Sequence, residues 1–113
     1  MQLNIKATNL ELTPELKEYV QKKMDMLDKY LGKLKIISAH FEAIKTTNHH
    51  LKGEIYCAEA NLAVNGDLLR VQKTEKNLFK AIDKVKDHLE VVIKKYKDKK
   101  KKSIKSIKSI NSV

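Results

Sequence analysis

The sequence predicts a two-layer α+β domain, ordered β-α-β-β-β-α, with two helices packed on one face of a four-stranded sheet. Three observations predict it. Two segments repeat apolar residues at helical spacing. Other segments alternate in the manner of half-buried strands. An Asn-Gly pair then ties the last two strands into a tight hairpin.

The elements follow in order. QLNIKA, residues 2–7, alternates as a short strand. ELTPEL opens a helix, with Thr13 as N-cap and Pro14 at the first helical position. Leu16, Val20, Leu27 and Leu31 mark one face of that helix, and Gly32 stops it, giving a helix over 14–31. KIISAHFEAI is the second strand, with Ile37, Ala39, Phe41 and Ala43 on its more apolar face. TTNHHLKG is a polar loop. EIYCAEANLAV is the third strand, with Tyr56, Ala58, Ala60, Leu62 and Val64 on one side. Asn65-Gly66 turns the chain into DLLRVQK, the fourth strand, because both central residues of such a turn need positive φ. Thr74 is the expected cap of the last helix. That helix carries its stripe on Leu78, Ile82, Val85, Leu89, Val92 and Tyr96, within about 80° of arc. Helices lying side by side on the sheet would join their polar sides into one surface.

Composition narrows the function classes. The chain has 113 residues, 42% apolar and 34% charged, enough for one domain with a modest core. No apolar run approaches the roughly 20 residues that span a bilayer, and the N-terminal segment lacks signal-peptide character. Cys57 is the sole cysteine, so no internal disulfide forms and a reducing, cytoplasmic setting is expected. The formal charge is +10, but residues 94–113 hold nine Lys against one Asp. The excess therefore belongs to the end of the last helix and to the segment beyond it. The domain is expected over 1–98. Residues 99–113, with their Ser-Ile-Lys triplets, are expected to be a basic low-complexity tail, disordered in isolation.

Catalytic chemistry has little support. Gly32, Gly53 and Gly66 are scattered and form no phosphate loop. His40, His49, His50 and Cys57 lack zinc-ligand spacing, so no metal and no cofactor are expected. The helix faces are the better candidate. Lys22 and Lys29 lie away from the first helix's stripe, and Lys23 lies close enough to snorkel along it. Lys80, Lys84 and Lys94 lie away from the last helix's stripe, as does Lys76, though Asp83 and Asp87 share that side. Lys86, Lys95 and Lys97 flank the stripe. Lysines meet phosphate as point charges and read little sequence. The absence of Trp argues against a single-strand stacking platform and for recognition of folded RNA by shape.

MQLNI, LTPELKEYVQKKMDMLDKY, ANLAVNG, LFKAIDKV and KKYKDK, taken together and in this order over residues 1–99, resemble the bacterial ribosome hibernation promoting factor and ribosome-associated inhibitor family. The resemblance implies the same β-α-β-β-β-α fold and a non-enzymatic protein. It implies binding to the small ribosomal subunit and its rRNA, in the channel of mRNA and tRNA, with translation blocked by occupancy in stationary phase or stress. Lys23, Lys95 and Lys97 match family basic positions, and Ala81-Ile82-Asp83 match its AID segment. Phe79 departs from a usual Tyr and Met26 from a usual Lys. His88 and Val91 stand at usual Lys and Arg positions, and His88 joins the RNA-binding set on that basis. The basic tail and short length resemble the short promoting-factor branch. No membrane or small-molecule partner is expected, and a monomer is expected off the ribosome. A general binder of double-stranded or structured RNA is the alternative reading.

Overall fold

The computed structural model describes residues 1–47 and 53–111, with side-chain surroundings through Thr46 and over Gly53–Lys99. Strand β1 is Asn4–Thr8, helix α1 Pro14–Asp25, helix α2 Asp28–Leu31, strand β2 Ile36–Thr47, strand β3 Glu54–Val64, strand β4 Asp67–Glu75, and helix α3 Leu78–Asn111. The sheet order is β1-β2-β3-β4. β1 runs parallel to β2, while β2–β3 and β3–β4 are antiparallel. The helices cover one face, as the sequence predicts.

Local chemistry sets the boundaries. The Thr13 hydroxyl accepts from the Leu16 N–H at 3.1 Å and Pro14 opens α1. The expected single helix over 14–31 is broken after Asp25. The Leu27 N–H bonds to the Met24 carbonyl three residues back, which tightens the chain and interrupts the α-helical ladder. The backbone stays right-handed through Met26 and Leu27, so Leu27 and Leu31 still reach the core. Asn65 and Gly66 have φ of 50° and 85°, the geometry the hairpin requires.

Thr74 does not cap α3. It pairs with Cys57 inside β4, which continues to Glu75. Asn77, immediately before Leu78, accepts from the Lys80 N–H at 3.1 Å and takes that role.

The core lies between the helices and the inner sheet face. It combines Leu16, Val20, Met24, Leu27 and Leu31 with Ala81, Ile82, Val85, Leu89 and Ile93 of α3. Below them sit Ala39, Phe41, Ala43, Ala58, Ala60, Leu62, Val64, Leu69 and Val71. Phe41 pairs in register with Ala60, so the bulkiest core side chain sits beside a small one. Two sequence expectations shift. Ile37 is 64% exposed, because the register slips between Ile36 and Ser38. An extra residue in one strand of a pair breaks the alternation of sides. On α3, Ile93 and Ala81 are fully buried, whereas Leu78, Val92 and Tyr96 only flank the core. The buried row Val85, Leu89, Ile93 follows four-residue spacing, whose line runs aslant the helix axis.

The helical backbone of α3 continues past residue 98, where the composition changes. Ser112, Val113 and residues 48–52, which include His49 and His50, lie outside the described residues.

Candidate nucleic-acid interface

The helices do lie side by side, and two sets of contacts join them. Near the start of α3, the Tyr19 hydroxyl donates to Asp83 Oδ1 at 2.6 Å, and Lys23 Nζ sits 3.2 Å from the same oxygen. Tyr19 and Phe79 meet edge to face, with ring centres 4.8 Å apart. The Lys23 ammonium also lies 5.5 Å from the Tyr19 ring centre. The bond to Asp83 is the main reason the Tyr19 phenol is pushed up to about 12. Donating to a carboxylate favours the protonated phenol.

The second set joins α2 to the later turns of α3. Lys29 and Lys94 place their ammoniums 5.0 and 4.8 Å from the Tyr30 ring centre. Lys97 Nζ donates to the Tyr30 carbonyl at 3.0 Å. Glu90 lies between Lys86 and Lys94, at 3.7 and 3.6 Å, one helical turn from each. Hydrogen bonding from the Tyr30 hydroxyl leads the influences that hold Glu90 below the usual carboxylate range, with both lysines adding to it. Gly32 ends α2 with φ of 55°, and a Cβ there would stand 3.3 Å from Lys97 Nζ. The glycine thus admits both the turn and the lysine.

The predicted site residues divide accordingly. Lys29, Lys94 and Lys97 converge around Tyr30, and Lys86 joins them through Glu90. Lys23 is committed to Asp83. Lys84 bonds Glu75 of β4, and that lysine leads the causes lowering the Glu75 carboxyl. Lys86 also meets Asp87 at 3.4 Å and is only 14% exposed. Lys22 lies with Lys17, Glu18, Gln21 and Asp25 on the outer side of α1. Lys80, His88 and Lys95 are exposed along α3. Sequence reading missed Tyr30 as the centre of a cluster, and missed Asp83 and Glu90 as organisers. The Lys86-Glu90-Lys94 spacing was the available signal for Glu90.

Elsewhere the chemistry is sparse. Cys57 is buried and accepts from Gln72 Nε2 at 3.0 Å. His40 is exposed on the helix-free sheet face, in register with Asn61. Among the described residues, no three His, Cys, Asp or Glu side chains converge as a metal site, and no helix is long and apolar enough to cross a membrane.

Comparison with known proteins places this surface in context. Residues 3–101 match the family described as Sigma 54 modulation protein / S30EA ribosomal protein. The chain is 31% identical over 101 residues to the ribosome hibernation promoting factor of Klebsiella oxytoca, covering 89% of this chain and 98% of that protein. It is 30% identical over 97 residues to the ribosome hibernation promotion factor of Lactococcus lactis, covering 86% of this chain but 50% of that longer protein. Among solved structures, the N-terminal domain of Thermus thermophilus Protein Y superposes with a TM-score of 0.67 at 27% identity, over 85% of this chain and 99% of that one. With nearly its whole described domain matched, this chain belongs to the Sigma 54 modulation protein / S30EA ribosomal protein family, the family of the ribosome hibernation factors.

Proposed function

We propose that this protein is a non-enzymatic ribosome hibernation factor of the cytoplasm. It binds the small ribosomal subunit in the mRNA and tRNA channel, blocks translation by occupancy, and preserves idle ribosomes. The observation that carries this reading is the lysine-bearing surface of α1, α2 and α3, set side by side in a chain of this family. Lysine ammoniums on a rigid helical pair suit phosphates at the fixed spacing of folded RNA. The RNA-facing set is Lys22, Lys23, Lys29, Lys80, Lys84, Lys86, His88, Lys94, Lys95 and Lys97. Residues 99–113 act as an electrostatic auxiliary to the 1–98 domain.

Gradient sedimentation of stationary-phase lysate tests the reading. The protein is expected to travel with ribosomal particles. Remaining wholly at the top of the gradient overturns it. Competition with free duplex RNA separates it from general binding of structured RNA: the ribosome reading requires that excess duplex leave most of the protein on ribosomes.

A further inference from the structure

The lysines of the helical surface are not equivalent, and one cleft concentrates the available ones. Lys23 is neutralised by Asp83, Lys84 by Glu75, and Lys86 by Asp87 and Glu90. Between α2 and α3, a cleft of about 390 Å³ is lined by Lys29, Tyr30, Lys94, Lys97 and Asp98. Three ammoniums meet one carboxylate in that lining. Lys94 shares Glu90 with Lys86, yet its side chain stays 58% exposed. Lys97 uses one of its three donors on the Tyr30 carbonyl and keeps two.

We infer that the Lys29–Tyr30–Lys94–Lys97 cleft is a phosphate-binding notch that seats one phosphodiester of structured RNA. This rests on the ribosome-binding reading and names where its phosphate contact is strongest. The notch is pre-formed. Lys97 holds the Tyr30 backbone, Glu90 pairs with Lys94 at 3.6 Å, and the ring props Lys29 and Lys94 at 5.0 and 4.8 Å. Side chains already ordered lose less entropy when a ligand arrives. A phosphodiester carries one negative charge and offers two oxygens to these donors.

The test is equilibrium binding of the full-length chain to isolated small ribosomal subunits over a salt series. The wild type is compared with Lys29→Gln/Lys94→Gln and with Lys6→Gln/Lys35→Gln. The second pair removes the same charge at exposed positions outside the helices. The cleft variant should flatten the slope of log affinity against log salt by about 0.7–0.9, one phosphate contact's worth. The charge-matched variant should keep the wild-type slope. A cleft variant with the wild-type slope overturns the notch and leaves the ribosome reading standing. So does an equal flattening in both variants, which would assign the effect to net charge. A wild type that binds no subunit at any salt overturns the ribosome reading and the notch together.

Discussion

The Tyr19 hydroxyl donates to Asp83 at 2.6 Å, joining α1 to α3 across 64 residues of sequence. The same carboxylate holds Lys23. One acidic side chain therefore fixes an aromatic and a cation on the neighbouring helix.

Asp83→Asn should lower the Tyr19 pKa from about 12 toward the ordinary value of 10.0, because the carboxylate is the main cause of the shift. The sign is fixed by linkage. A phenol whose folded pKa is raised contributes stability that is fully present below the unfolded pKa and is lost as pH rises through the folded pKa. The wild type should thus lose stability relative to the variant between about pH 10 and 12. Ultraviolet titration of the phenolate, with alkaline unfolding monitored alongside, checks both statements. An unchanged Tyr19 titration in the variant would contradict them.

Asn77→Ala should destabilise the domain by about 0.5–2 kcal/mol, the usual cost of a lost N-cap. Thr74→Ala should cost less, since Thr74 is exposed in β4 and caps nothing. Denaturant unfolding of the two variants compares them directly.

Leu89→Ala should cost about 2–5 kcal/mol, because the side chain is fully buried in the core between α3 and the sheet. Binding by the fraction that remains folded should be unaltered, since Leu89 is absent from the lysine surface. Denaturant midpoints and subunit binding, measured on the same preparation, separate the two effects.

Removal of residues 99–113 should leave most ribosome binding intact. Among the residues whose burial is described, the last in the core is Ile93, and the lysines lining the cleft end at Lys97. The salt dependence should become modestly shallower, as a few nonspecific phosphate neighbours are lost. Loss of nearly all binding would instead place the interaction in the tail.

These contrasts also mark what the sequence carries. The order of elements was legible because periodicity and turn chemistry are local: Thr13-Pro14 and Asn65-Gly66 act within a few residues. Ile37 was misassigned because a bulge depends on the partner strand. Thr74 was misassigned because the length of β4 is set by pairing with Tyr56 and Cys57. Val92 and Ile93 compete for the same stripe, and the fully buried one is Ile93, which continues the four-residue row of Val85 and Leu89. The lysines themselves were visible. Which ones are neutralised was not, because Glu75 reaches Lys84 from β4 and Asp83 meets Lys23 from another helix. The Tyr30 cluster is likewise tertiary, joining residues that lie more than 60 positions apart.

The most direct test of the central claim is cosedimentation of the purified full-length chain with separated small and large ribosomal subunits at increasing salt. The account predicts that the chain pellets with the small subunit and is released steeply as salt rises. A chain that stays in the supernatant, or that prefers the large subunit, contradicts it.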